Sequence, residues 1–164
     1  WVASNNLGLF SLDMPSGKIV DQVSINGVVQ LATDGIHLFL ASADTVYALS
    51  DLGTVIWKNQ ISDIWSRSAP AAFPFHGFTG GKKRSLYGVP SKLLITQDRL
   101  IMATSAGAIG VFDKNSGVLL KLVGDSVGVS PKIGWAGTND LVAISRRGLL
   151  MKFHLASPKK VSSR

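Results

Sequence analysis

Acid–base chemistry in this chain would rest on three histidines and ten aspartates, because the sequence contains no glutamate and no cysteine. That removes a glutamate general acid, thiolate zinc ligands, a cysteine nucleophile and the bidentate glutamate of an EF-hand. Disulfides are removed as well. His37 follows Gly35 in a turn, His76 stands in a polar-aromatic stretch, and His154 alternates with Phe153. No spacing groups them as metal ligands. Serine is plentiful, yet no Gly-x-Ser-x-Gly elbow presents one as a nucleophile. Gly80-Gly81 before Lys82-Lys83-Arg84-Ser85 superficially resembles a phosphate loop, but lacks the spacing and a following helix. Asp13, Asp51 and Asp113 open turns that contain glycine, where a carboxylate caps backbone N–H groups. They read as turn caps rather than Ca²⁺ ligands. The residues point away from catalysis, and no catalytic, cofactor or metal site is expected.

Charge is the next feature. Lys and Arg number 17 against 10 acids, a net charge of +7. The clusters are Lys82-Lys83-Arg84, Arg146-Arg147 and Lys159-Lys160. They suit a solvated surface, an acidic protein surface or anionic head groups. Nucleic acid is disfavoured, since no aromatic residues are interleaved for base stacking. Hydrophobic residues make up 46% and charged residues 16%, which excludes a disordered chain. No apolar run reaches the roughly 20 residues that span a membrane. The opening Trp1-Val2-Ala3-Ser4 has neither Met nor signal-peptide pattern and reads as the interior of a longer chain.

The elements that must carry these residues repeat. An apolar residue, Ala and then mostly Ser or Thr recurs at Val2-Ala3-Ser4, Leu40-Ala41-Ser42, Met102-Ala103-Thr104 and Val142-Ala143-Ile144-Ser145. An alternating pair follows each: Phe10/Leu12, Tyr47/Leu49, Gly110/Phe112 and Met151/Phe153. Period-two alternation means half-buried strands. Three of these strands run into turns ending at Gly17, Gly53 and Gly117, each followed by another apolar strand. No 3.6-residue periodicity is sustained. A period near 40 residues with short strands and Gly turns fits a propeller blade. Labelled A to D from inside out, the copies read B-C-D, A-B-C-D, A-B-C-D and A-B-C. The expected fold is all-β: a β-propeller segment of about four four-stranded blades, the C-terminal half of a larger propeller. The propeller is expected over 1–155, with a basic Ser/Lys-rich tail at 156–164. The four alanines are expected at equivalent buried places, where converging inner strands leave no room for larger side chains.

The segment Thr45-Val46-Tyr47-Ala48-Leu49-Ser50-Asp51-Leu52-Gly53-Thr54-Val55-Ile56-Trp57 resembles the PQQ-like, or quinoprotein alcohol dehydrogenase-like and BamB-like, propeller repeat. Leu12-Asp13 with Ser16-Gly17, Phe112-Asp113 with Ser116-Gly117, and Ser130-Pro131 add to the likeness. The resemblance implies that Trp57 docks one blade on the next. Val20 or Asp21, and Lys121, stand near that point in other copies, implying looser packing there. A minority of the family are enzymes that hold PQQ beside Ca²⁺, using a Trp, a vicinal Cys pair, Glu, Asn and Asp. Cys and Glu are missing here, so a quinoprotein dehydrogenase is the alternative reading; quinone absorbance and Ca²⁺-dependent dye reduction would reveal it. BamB-like members are non-enzymatic envelope scaffolds, and plants carry a PQQ-like ectodomain in gamete-expressed membrane proteins. The likeness leans towards such a membrane-anchored relative, and hence an extracytoplasmic location.

One stretch exceeds the repeat. The alanines lie 38, 62 and 40 residues apart, so about 22 residues are surplus within 62–92. That insertion holds Trp65, Phe73, Phe75, Phe78 and Tyr87, with Lys82, Lys83 and Arg84 as a basic flank. Long loops in compact domains are functional or disordered, and aromatics gain by burial against a partner. These eight residues are the expected protein-binding site.

Overall fold

The computed structural model describes residues 1–4, 8–61, 89–105, 108–124, 129–137, 139–145 and 150–155. Every described element is a strand, and the strands form four antiparallel sheets. Blade 1 holds β1 (Val2–Ser4), β2 (Gly8–Leu12) and β3 (Ile19–Val23). Blade 2 holds β4 (Val28–Thr33), β5 (His37–Ser42), β6 (Thr45–Ser50) and β7 (Val55–Gln60). Blade 3 holds β8 (Pro90–Ile95), β9 (Arg99–Thr104), β10 (Ala108–Asp113) and β11 (Leu119–Gly124). Blade 4 holds β12 (Val129–Trp135), β13 (Asp140–Ser145) and β14 (Leu150–His154). Each sheet is a meander in chain order. The innermost strands β4, β8 and β12 neighbour one another, so the blades fan out from a common inner edge. This is the expected B-C-D, A-B-C-D, A-B-C-D, A-B-C order.

The core lies between blades, and strand alternation puts it there. In β5, Leu38 and Leu40 face blade 1 and pack with Leu9, Ile25 and Val28. Phe39 and Ala41 face the other way and pack with Leu93, Leu100, Met102 and Phe112 of blade 3. In β9, Ile101 and Ala103 face blade 4 and meet Ile133, Leu141 and Leu155. A blade therefore needs apolar residues on both faces, which is why β5, β6, β9 and β10 read as nearly continuous apolar runs.

A residue is inserted at the same point of each C–D pair. Val20, Ile56 and Leu120 are the extra residues, between Ser11↔Asp21 and Leu12↔Ile19, Ala48↔Trp57 and Leu49↔Val55, and Val111↔Lys121 and Phe112↔Leu119. All three are exposed, as the unpaired residue of a bulge can be.

In blades 2 and 3 the Ser or Thr after the Ala closes the turn between strands B and C. The Ser42 hydroxyl accepts from the Thr45 N–H at 3.0 Å, and the Thr104 hydroxyl accepts from the Ala108 N–H at 3.2 Å. Both residues are buried.

The alanines are not all equivalent. Register aligns Val28↔Ser42, Pro90↔Thr104 and Val129↔Ser145, so Ser145 matches Ser42 and Thr104. Ile144 then holds the place of Ala41 and Ala103, and Ala143 holds that of Leu40 and Met102. Burial agrees: Ala143 is 1% exposed within the blade 3–blade 4 core, whereas Ile144 is 38% exposed on the opposite face. Blade 4 carries one extra residue between its Ala and its Ser. Ala3 keeps the Ala41 place, pairing Leu9 as Ala41 pairs Val46, but is only half-buried. The small-residue rule thus applies where a following blade covers the face. Ala103→Ile should destabilise by about 2 kcal/mol through overpacking. Ile144→Ala should cost less than about 1 kcal/mol. Urea midpoints compare the two; equal costs would contradict this assignment of faces.

Candidate functional site

The insertion leaves and re-enters at one end of the blade 2–blade 3 seam. Ile61 follows β7, is 1% exposed, and donates its N–H to the Asp44 carbonyl at 2.7 Å. Asp44 is itself fixed in the B–C turn, its carboxylate accepting from Ser42 at 2.8 Å and Thr45 at 3.0 Å. On the other side, Ser105 donates its N–H to the Val89 carbonyl at 2.8 Å, and the Val89 N–H reaches the Ser105 hydroxyl at 2.9 Å. Both stems are thus tied to B–C turns of adjacent blades. Trp65, Phe73, Phe75, Phe78, Lys82, Lys83, Arg84 and Tyr87 all lie outside the described residues. So do His76, Arg146-Arg147 and Lys159-Lys160.

The opposite end of the same seam carries the A–B and C–D turns. Trp57 reaches across it: its indole N–H donates to the Lys114 carbonyl at 3.0 Å, and its ring lies against Gly117. Asn59 donates from its amide to the Gly117 carbonyl at 2.8 Å. Lys114 returns the contact, its ammonium meeting the Asp34 carboxylate at 2.7 Å with both side chains nearly buried. The same carboxylate accepts from the His37 N–H at 2.7 Å and the Ile36 N–H at 3.0 Å, and lies 3.3 Å from His37 Nδ1. Burial by itself would raise the Asp34 carboxyl; the Lys114 ammonium and the two N–H groups outweigh it and hold it well below the usual carboxylate range.

At the blade 1–blade 2 seam the position of Trp57 is taken by Asp21, yet a tryptophan still docks. Trp1 donates its indole N–H to the Asp51 carbonyl at 3.1 Å, and Trp1 and Val23 flank Gly53. A ring entering from the start of the inner B strand replaces one from the outer D strand. Looser packing expected from the missing Trp is offset there by Trp1.

Asp13 and Asp113 cap their turns as expected, Asp113 accepting from the N–H and the hydroxyl of Ser116, each at 2.8 Å. These Ser116 bonds, with one from the Asn115 N–H, outweigh burial and lower its carboxyl. In blade 2 the capping group is not Asp51 but Ser50, whose hydroxyl accepts from Leu52 and Thr54, both at 3.2 Å. The hydroxyl sits one residue earlier, at the register place of Asp13 and Asp113. His37 and His154 each have an aspartate neighbour, Asp34 and Asp140, that spacing along the chain did not reveal. Lys152 at 2.7 Å and His154 at 2.9 Å lower the Asp140 carboxyl. Among the described residues no group of three or more His, Cys, Asp or Glu could hold a metal ion. No described helix is long and apolar enough to cross a membrane.

No family model matches the sequence, and no curated protein matches it. Solved structures do. The chain is similar to BamB from Moraxella catarrhalis, with a TM-score of 0.58 and 14% identity, covering 88% of this chain and 36% of that one. It is similar to Sqt1 of Saccharomyces cerevisiae, with a TM-score of 0.65 and 13% identity over 94% of this chain and 40% of that one. It is also similar to BBS1N, solved in complex with ARL6DN, at TM-score 0.54 and 18% identity over 88% and 39% of the two chains. The chain spans well under half the length of these structures. At such identities the likeness concerns the fold, and it identifies these sheets as blades of a β-propeller.

Proposed function

We propose that the chain is a non-catalytic propeller scaffold for protein recognition, with the insertion as its recognition element; of the expected 62–92 stretch, 90–92 belong to β8, which leaves the part between Ile61 and Val89. The observation that carries this reading is the double anchoring of the insertion. Its stems are hydrogen-bonded to the B–C turns of two blades that share one core. A long aromatic loop gains affinity from a rigid base, because less ordering entropy is lost on binding. BBS1N, a structure of similar fold, was solved with a partner bound, which supports the reading. The Tyr-Ala-Leu strand, glycine turn and Trp57 support kinship with PQQ-like repeats. On that kinship we place the protein outside the cytoplasm, as an ectodomain of a membrane-anchored protein.

Replacing Phe75 and Phe78 by Ala should leave thermal unfolding nearly unchanged yet cost on the order of 2 kcal/mol in partner binding. Exchanging Lys82, Lys83 and Arg84 for Gln should flatten the salt dependence of that binding. Titration calorimetry with the partner recovered by affinity capture reads both. If the double Phe variant unfolds, those rings belong to a core and the reading fails. If binding is unchanged, the insertion is a passive loop.

A further inference from the structure

Asn26-Gly27 is the only Asn-Gly pair in the sequence, and it forms the turn that leads from β3 of blade 1 to β4 of blade 2. Gly27 holds φ at 69°, the left-handed place that glycine fills most readily in such a turn. Asn26 is exposed, and a Cβ built on Gly27 meets nothing within 4 Å, so nothing crowds the turn. Among the described residues the Gly27 N–H donates no hydrogen bond. The flanking residues are the opposite: Ile25 and Val28 are 6% and 4% exposed and belong to the blade 1–blade 2 core. An open turn is thus held between two buried anchors. The other described asparagines are placed differently. Asn59 lies within β7, and its amide donates to the Gly117 carbonyl. Asn115 is exposed, but the N–H that follows it, on Ser116, is bound to the Asp113 carboxylate at 2.8 Å. Asn139 precedes Asp140, the first residue of β13, whose side chain hinders an approach that glycine allows.

We propose that Asn26 is a self-modification site, which converts spontaneously to isoaspartate, and that this product loosens the blade 1–blade 2 seam. The Gly27 amide nitrogen gives its proton to hydroxide and attacks Cγ of Asn26. A C–N bond forms, the Cγ–Nδ2 bond breaks, and ammonia leaves with a proton taken from water, which regenerates the hydroxide. Solvent water then opens the cyclic imide at one of its two carbonyls, and no electron is transferred. Opening at Cγ gives aspartate. Opening at the main-chain carbonyl gives isoaspartate, in which the chain runs through Cβ and Cγ and is one methylene longer. That methylene enters between Ile25 and Val28, whose close-packed places leave little slack. Either product adds a carboxylate to the turn. The inference stands apart from the protein-recognition reading, and neither needs the other.

The test incubates the folded 164-residue chain in warm, mildly alkaline buffer. Its tryptic peptides are followed by mass spectrometry, with fragmentation that separates isoaspartate from aspartate. Cleavage after Lys18 and Lys58 gives a peptide whose only asparagine is Asn26, while Asn115 and Asn139 fall in two others. The Asn26 peptide should gain the mass of an amide-to-acid exchange, with isoaspartate exceeding aspartate. The peptides of Asn115 and Asn139 should keep their amides. The rate should rise in proportion to hydroxide, and Asn26→Gln should remove the signal. The converted fraction, more anionic and so resolved by ion exchange, should unfold at a lower urea concentration than the unconverted one. No conversion at Asn26, conversion there only after unfolding in urea, or equally fast conversion at Asn115 or Asn139 overturns the assignment of the site. An unchanged urea midpoint in the isoaspartyl fraction overturns the loosened seam.

Discussion

Gly117→Ala should destabilise the chain by about 3 kcal/mol, whereas Gly17→Ala should cost only about 1 kcal/mol. Both glycines end equivalent C–D turns, at φ 72° and φ 67°. Both substitutions therefore pay the penalty of a left-handed L-residue, roughly 1–2 kcal/mol. Beyond that they differ. A Cβ at Gly17 meets nothing within 4 Å, while one at Gly117 would lie 2.7 Å from the Trp57 ring and 2.6 Å from the Asn59 amide. The ring would have to leave the turn, losing its bond to Lys114, or the blades would have to part. Overpacking of this kind costs about 1–3 kcal/mol more. Urea midpoints with an unchanged slope would report the difference. Equal losses at the two glycines would show that Trp57 does not dock on blade 3.

Asp34→Asn should cost about 3 kcal/mol at neutral pH. The substitution strands the Lys114 ammonium, which is only 13% exposed, without its counter-charge. Removing one partner of a buried pair costs about 3–5 kcal/mol, and partial exposure sets the expectation at the low end. The pH dependence has a defined sign. The carboxyl is lowered in the folded state, so its stabilising contribution is present above the ordinary carboxylate pKa of about 3.9 and is lost as pH falls towards the folded value. Wild type should thus lose this increment progressively below about pH 4. The Asn variant should lack that part of the acid limb. Lys114→Met on the Asn background should recover much of the loss, because it removes the uncompensated buried charge. An Asn variant as stable as wild type at neutral pH would contradict a stabilising role for the Asp34–Lys114 pair.

Much of this architecture was legible because propeller strands are short-range objects. Alternation at Phe10/Leu12, Tyr47/Leu49 and Met151/Phe153 locates the C strands, and turn glycines locate the step to the D strands. The hydroxyl after each Ala proved the more reliable anchor. Ser145 keeps register with Ser42, whereas Ala143 is displaced by the extra Ile144. A sequence window sees four apolar residues there and cannot tell which face each one takes. What escaped entirely were contacts made at long range. Trp1 docks on a turn fifty residues away. The Asp34–Lys114 pair joins residues 80 apart. The insertion residues carry the opposite lesson, since their composition singled them out while the anchoring of their stems came from the fold.

The claim on which the rest depends is that adjacent blades are docked face to face, with one core per seam. The most direct measurement is a ¹⁵N/¹³C-edited NOE spectrum of the whole chain. It should show strong cross-peaks from the Trp57 indole ring to the Gly117 α-protons, and from the Phe39 ring to the methyl groups of Leu100 and Met102. Phe39 to Phe112 should appear in the same cluster. A folded, β-rich spectrum in which Trp57 and Phe39 show NOEs only within their own sheet would contradict the docking, and with it the recognition surface built on that seam.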